Sequence, residues 1–378
     1  MHHHHCRMRF SAICFFMFML VMVLPCLAQC AVISIASIDD LQKIGTAPGY
    51  PLNGQYVLGN DIDASSTRTW NNNGTGGFYG FAPIGPAMAT PFTGSFNGQG
   101  HTIKGLYINR PLTKFIGLFG YIDTGATISN ITILASEIQG SLFVGCLAGY
   151  TTGSISGCTT SGTVTSATRA GGLAGANAGT ITGCYSTGAV HGTLSTNDNN
   201  IGGLVGNNSN GSISNSSSGG TVSGSSDNVG GLVGLNGLNP ATIINCSSSA
   251  AVSGTSRVGG LVGRLQAGSI TTSYSSGTVS GNGYYVGGLV GENSATTINC
   301  YSSATVNSGA SNDAGGLAGY NSGSITNCYS SGAVVSGNPF AAGGMVGENN
   351  STVSTSFWIK TPPGGPPQRP AREEQPLN

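Results

Sequence analysis

Charge is what this sequence has least of. Lys and Arg together number 13, and Asp and Glu 13, in 378 residues; that is 7% of the chain, against roughly 25% in an ordinary soluble domain. A net charge of zero provides neither a basic patch for nucleic acid nor a cationic face for anionic lipid, so neither is expected as a partner. Histidine is also scarce, because four of the six, His2 to His5, stand at the start and leave only His101 and His191 beyond it. A His-dependent triad or a zinc centre has almost nothing to draw on. Within the later sequence no run of ten residues is free of Gly, Pro, Asn or Ser. Each interior Gly costs a helix about 1 kcal/mol relative to Ala, so long helices are excluded there. What the chain has instead is glycine, 63 residues, with Ser, Thr and Asn around it. A hydrophobic content of 39% is too high for a flexible Gly/Ser linker, and Val, Ile and Thr favour strands. An all-β fold is expected.

One long apolar run exists. Arg7 and Arg9 precede Phe10 to Ala28, which is broken only by Ser11 and by Pro25. The pattern matches a secretory signal over residues 1–28, cut after Ala28, with small Cys26 and Ala28 at the two selective positions. A retained anchor is the alternative, since nineteen residues just span a bilayer. Leu27 to Cys30 (LAQC) also hints at a lipoprotein site, where Gln29 is bulkier than such a site takes. A secreted or surface location follows, with membrane contact only through this segment.

A phrase then recurs: IGLFG at Ile116, VGCLAG at Val144, AGGLAG at Ala170, IGGLVG at Ile201, VGGLVG at Val229, Val258 and Val286, AGGLAG at Ala314 and AGGMVG at Ala342. Its central apolar residues are Leu118, Leu147, Leu173, Leu204, Leu232, Leu261, Leu289, Leu317 and Met345, spaced by 29, 26, 31, 28, 29, 28, 28 and 28 residues. A second phrase, as in GSITNCYSSGAV from Gly323, sits between anchors. Each unit offers three short apolar-rich segments that cannot bury themselves alone but can when stacked on neighbouring copies. The spacing predicts a right-handed parallel β-helix, or β-solenoid, of about nine rungs over 116–358, with columns of like residues about 4.8 Å apart.

The combined pattern GxIxNCYSxGxVxG followed by VGGLVGxN resembles the GLUG repeat. That resemblance implies a secreted or surface-exposed bacterial protein, similar to adhesins of the filamentous haemagglutinin kind or to repeats beside peptidase modules. The upstream stretches YPLNGQYVLGNDIDAS (Tyr50 to Ser65) and PFTGSFNGQGHTIKGLYINR (Pro91 to Arg110) resemble the segment that precedes such arrays. Residues 29–115 are therefore expected as irregular early rungs that cap the open strand edges. Residues 359–378, rich in Pro and charge, read as a disordered tail. The absence of a C-terminal cap in the sequence suggests a truncated chain or an open reading frame that ended early.

Cys158, Cys184, Cys246, Cys300 and Cys328 share one repeat column with Ser216, Ser273 and Ser356, which reads as a small inward-facing site. Buried free thiols are expected, although Cys158/Cys184 and Cys300/Cys328 fall in successive rungs at disulfide range. Asn177, Asn208, Asn236, Asn293, Asn321 and Asn349 recur after the anchor and predict an amide ladder or left-handed corners. The residue before each Asn varies, as Arg264 and Glu292 illustrate, and is expected to face water, where that pair is worth less than about 1 kcal/mol. Tyr274, Tyr301, Tyr329 and Phe357 follow the Cys/Ser column in four successive rungs, with Tyr185 isolated earlier. Pleat alternation turns these rings outward, giving a stripe for glycans or partner proteins, or rings that merely stack on one another. Asp61 and Asp63 alternate on one strand and are candidates for Ca2+, though a solvated turn explains them as well. The array's acids, Asp123, Glu137, Asp198, Asp227, Glu292, Asp313 and Glu348, are expected to be scattered over different rungs and columns. With no HExxH, GxSxG or P-loop string and no facing pair of carboxylates expected in the array, no catalytic residue, metal or cofactor is expected. The sequence thus favours a non-catalytic adhesin-like scaffold. A polysaccharide-degrading enzyme, the repeat module of a secreted peptidase and a ligand-free stalk remain as alternatives.

Overall fold

Backbone pairing alone defines the architecture. The computed structural model describes residues 31–194, 199–225, 227–237, 241–309, 313–338 and 342–359. The expected signal segment and nearly all of the Pro-rich tail lie outside the described residues. Strand makes up 55% of the structure and helix 3%, arranged as a parallel β-solenoid of about nine turns. One turn runs through Val233–Gly237, Thr242–Ile244, Ser247–Ser248, Ala251–Gly254 and Ser256–Gly259. Each strand pairs in parallel with its equivalents one turn before and after, as Val233 does with Val205 and Val262. A turn therefore holds five strands, where the sequence suggests three. Several are only two residues long, too short for any hydrophobic period to register. Some of the corners between them turn on one left-handed residue: Asn215, Asn245, Asn299 and Asn327 adopt φ of 49°, 53°, 55° and 53°. Asn tolerates that left-handed conformation better than other non-Gly residues.

The recurring phrases are a packing recipe. Val229, Leu232, Val233, Ile243 and Val252 are all buried, and their equivalents above and below form continuous apolar columns. The paired glycines between them sit where two strands approach closely. A Cβ at Gly230 would lie 1.9 Å from the Val233 carbonyl oxygen, and one at Gly231 would lie 2.0 Å from that of Gly260 and 2.2 Å from Ser248 Oγ. The Ser of the second phrase faces this gap and ties it shut. Ser218, Ser275 and Ser330 donate to the carbonyls of Gly231, Gly288 and Gly344 at 2.7, 2.6 and 2.7 Å.

The asparagines after the anchor form an amide ladder along the stack, buried at every position except the last, Asn349. Asn177 Nδ2 donates to Asn208 Oδ1 at 2.8 Å and Asn208 Nδ2 to Asn236 Oδ1 at 2.7 Å; Asn293 donates to Asn321 at 2.6 Å and Asn321 to Asn349 at 2.7 Å. None of these six has positive φ; the left-handed corners belong to the other Asn column, beside the Cys/Ser position. The ladder breaks at Leu265, which pairs with Asn236 and Asn293. Both ends of the break find other partners. Asn236 Nδ2 donates to the Ala267 carbonyl at 2.9 Å, and Asn293 Oδ1 accepts from Thr297 Oγ1 at 3.2 Å. Thr297 stands between Ile270 and Ile325 in a column otherwise apolar from Ile128 onward.

Residues 31–115 continue the stack forward. Val32–Ile35, Gln55–Leu58 and Ser95–Asn97 precede Thr127–Ser129 in one 12-stranded sheet. A short helix, Ile38–Lys43, is N-capped by Ser37 and buries Ile38 and Leu41. Its cap satisfies an N–H that the helix itself leaves unpaired. Tyr56, Phe92, Phe96 and Phe119 pack together in the interior of these first rungs. At the other end Trp358 pairs with Ser330 in place of the usual Ser, and its indole lies against Gly344.

Candidate functional site

Cysteine chemistry is removed from consideration by hydrogen bonding and burial. Cys158, Cys184, Cys246, Cys300, Cys328 and the off-column Cys146 are buried and unbridged. Cys246 Sγ donates to the Ile244 carbonyl at 3.2 Å, while its N–H donates to Ser273 Oγ at 3.1 Å. Ser216 and Ser273 Oγ make the same contact two residues back, at 2.7 and 2.8 Å. Cys and Ser interchange because each is a staple between consecutive rungs, a role that smallness alone does not reveal. Burial pushes the Cys246 thiol up to about 11 and the Cys146 thiol up to about 12. Cys158 and Cys300 are raised as well, by the hydrogen bonds shared with Cys184 and Cys328 and then by burial. The same hydrogen bonds lower Cys184 and Cys328, but both are buried, so the raised thiols lack reactivity and the lowered ones lack access.

The residue after this column points outward. Tyr274, Tyr301, Tyr329 and Phe357 form one stack, with centroid separations of 4.8, 4.9 and 5.6 Å and interplanar angles of 3°, 3° and 11°. Tyr274 and Phe357 are 38% and 44% exposed; Tyr301 and Tyr329 are half-buried. Co-facial stacking at the rung spacing means that neighbouring π faces cover one another and that the stripe presents ring edges and hydroxyls. The exception is a gap. In this column Tyr185 pairs with Ser217, Ser217 with Ser247, and Ser247 with Tyr274. Two rings are missing, and a notch of about 350 Å³ lies there, lined by Tyr185, Ser217, Ser247, Ser249, Tyr274 and Ser276 among others.

A second flank carries the charge. The position expected to face water does not do so uniformly, because Tyr121, Ala176 and Glu292 are buried. Among the described residues, the residue before the anchor phrase folds beside it in left-handed conformation at Phe115, Phe143, Asn228, Arg257, Tyr285 and Asp313. Near its start this flank is aromatic: Phe115 stacks on Phe143 and Tyr121 on Tyr150, at 5.3 and 5.1 Å. Further along, Arg257 bridges Asp227, at 2.7 Å, and Glu292, while Arg264 Nε donates to Glu292 Oε1 at 3.1 Å. Arg264 and Glu292 are thus part of a partly buried network and not an exposed pair.

Four acids expected to be scattered share this flank. Asp227 and Glu292 meet Arg257; Glu348 lies close enough to raise the Asp313 carboxyl, though burial is the larger cause. Burial also raises Tyr285, with Glu348, Tyr320, Glu292 and Asp313 adding to it. Sequence distance hides this meeting, because residues on either side of an anchor phrase occupy adjacent columns. Asp123 accepts from the N–H of Thr124 near Tyr121, at the flank's aromatic start, and Glu137 pairs with Arg68; Asp198 lies outside the described residues. Glu292, held between two guanidiniums, is an ion-pair partner and not a free acid or base.

Asp61 and Asp63 serve the backbone. Asp61 Oδ1 accepts from the Thr102 N–H at 2.8 Å and lies 3.2 Å from His101 Nδ1; Asp63 Oδ1 accepts from the Ser65 N–H at 2.9 Å. Both carboxyls are held below their ordinary value, chiefly by those N–H groups. Among the described residues no three His, Cys, Asp or Glu side chains gather as metal ligands.

Comparison with known proteins agrees with this geometry. The GLUG motif matches five times, at residues 197–223, 225–253, 254–280, 282–307 and 310–335. The chain is similar to Halomucin of Haloquadratum walsbyi, 40% identical over 142 residues, covering 36% of this chain and 2% of that protein. It is also similar to a candidate Gly-rich membrane protein of Evansella cellulosilytica, 38% identical over 79 residues, covering 20% of this chain and 9% of that one. The aligned stretches are thus a small part of both relatives. In structure it resembles a candidate immunoglobulin A1 protease from Bacteroides ovatus, with a TM-score of 0.51 and 17% identity over 85% of this chain and 84% of that one. At that identity the likeness is one of fold.

Proposed function

Starting from a β-solenoid that carries GLUG repeats, we propose that this is a secreted or cell-surface scaffold, without catalysis of its own, that acts as an adhesin-like binding surface. The observation that carries this reading is the outward column of Tyr274, Tyr301, Tyr329 and Phe357, held at rung spacing by the backbone. Equivalent groups at a fixed pitch let weak contacts with surface glycans or proteins add up. Similarity to Halomucin and to a candidate membrane protein supports a location at or beyond the cell surface. The test compares the parent with Tyr301→Ala/Tyr329→Ala on glycan arrays and on intact host or neighbour cells. Loss of binding in the variant supports the reading. No binding by the parent reduces the solenoid to a stalk.

A second reading, the repeat module of a larger secreted peptidase, is favoured by the fold likeness to the Bacteroides ovatus protein. It predicts that the full chain cleaves no immunoglobulin and binds one. A polysaccharide-degrading activity would draw on Glu292, Asp313 and Glu348, and the double guanidinium clamp on Glu292 argues against it.

A further inference from the structure

We infer that the notch between Tyr185 and Tyr274 is a subsite for an uncharged pyranose residue of a glycan; this rests on the binding reading above and names its ligand class. Stacking on a sugar needs an aromatic face. Along the stripe each inner face is covered by the next ring, at 4.8 to 5.6 Å. Where the column reads Tyr185, Ser217, Ser247, Tyr274, two successive serines leave the Tyr274 face without a neighbouring ring. Three rung steps of about 4.8 Å separate the two tyrosine positions by roughly 14 Å. The space between them, about 350 Å³, accepts rings that the column itself lacks.

The lining supplies the rest of a sugar's chemistry. The hydroxyls of Ser217, Ser247, Ser249 and Ser276 have no hydrogen-bond partner among the described residues, whereas Ser218 beneath them is committed to the Gly231 carbonyl at 2.7 Å. Aromatic walls with free hydroxyls between them suit a pyranose, whose C–H face is apolar and whose rim is hydroxylated. Among the described residues no charged side chain lines the notch. Uronic and sialic acids therefore find no cation there, and a neutral hexose or N-acetylhexosamine is the ligand class selected.

The experiment uses the full chain with neutral oligosaccharides of glucose, galactose, mannose and N-acetylglucosamine, and with oligogalacturonate as the acidic probe. Ser247→Tyr extends the existing stack into the gap without removing any contact, and thermal unfolding checks that it folds like the parent. Titration calorimetry is expected to show a neutral oligosaccharide binding the parent in preference to oligogalacturonate, and Ser247→Tyr weakening it about tenfold or more. Tyr274→Ala, which removes a wall, is expected to weaken it as well. Neutral-sugar binding that Ser247→Tyr leaves intact overturns the subsite, and if Tyr301→Ala/Tyr329→Ala abolishes that binding the surface reading stands without it. A parent that binds none of the neutral probes also overturns the subsite, while retained binding to cells or proteins leaves the surface reading in place.

Discussion

The break in the amide ladder at Leu265 yields a quantitative test, because the chain has replaced one lost hydrogen bond with another from a different column. Thr297→Ile restores the apolar residue found in the rungs on either side, Ile270 and Ile325. It also strips Asn293 Oδ1 of the Thr297 hydroxyl, which is its hydrogen-bond donor and lies 3.2 Å away in a fully buried setting. An unsatisfied buried acceptor costs about 1–3 kcal/mol, and the added apolar surface returns about 0.8 kcal/mol. The single variant is therefore expected to be less stable by about 0.2–2 kcal/mol. Leu265→Asn places an amide between Asn236 and Asn293, its parallel neighbours. In that background Asn293 Oδ1 regains a donor, so Thr297→Ile becomes neutral or mildly stabilising, and the cycle gives a coupling of about 2 kcal/mol. Long repeat arrays do not unfold as one unit. The readout is accordingly local: amide hydrogen exchange by mass spectrometry over Val290 to Cys300 in parent, both single variants and the double. Additivity within about 0.5 kcal/mol would refute the claim that Thr297 stands in for a missing ladder rung.

Two further expectations follow from the packing and the charges. Gly231→Ala forces a Cβ to 2.0 Å from the Gly260 carbonyl and is expected to open that turn, costing more than about 3 kcal/mol; Gly219→Ala, whose Cβ meets nothing nearer than 3.4 Å, stays within about 0.5 kcal/mol by thermal unfolding. Burial first, and Glu348 second, hold the Asp313 carboxyl above its ordinary 3.8. The folded state then binds the extra proton, so the parent loses stability as pH rises from 3.8 through the raised native value. Asp313→Asn is expected to gain stability over the parent above that window and to show no advantage below it, as pH-dependent melting would report.

The solenoid is legible in the sequence because the Leu118 to Met345 spacing repeats a packing unit, and apolar columns follow directly from stacking that unit. The amide ladder is legible for the same reason. Other features are not, and each has a physical cause. Two-residue strands such as Ser247–Ser248 carry no period. The interchange of Cys and Ser signals a small site, but not that Sγ and Oγ both accept from the N–H one rung before. Variation from Tyr121 to Glu348 looks like solvent exposure, whereas at six of the nine anchors a left-handed residue before the phrase folds beside that position. The acids on the second flank are far apart in sequence and meet only because the anchor phrase doubles back between their columns. The gap between Tyr185 and Tyr274 is visible in the sequence as two serines, but its value lies in the ring faces that the stack leaves bare.

The direction of the backbone ladders has a mechanical meaning. Their hydrogen bonds run from turn to turn, parallel to the axis, so a pull between the ends of the array loads the rungs in series and the weakest parts first. A turn contributes about 4.8 Å of height while folded, yet about 28 residues drawn straight span roughly 95 Å. Releasing one turn therefore lets out about twentyfold more length than it occupied, and the remaining turns are relieved of tension. Held at one end and stuck at the other, such a rod yields by measured lengthening before its grip fails.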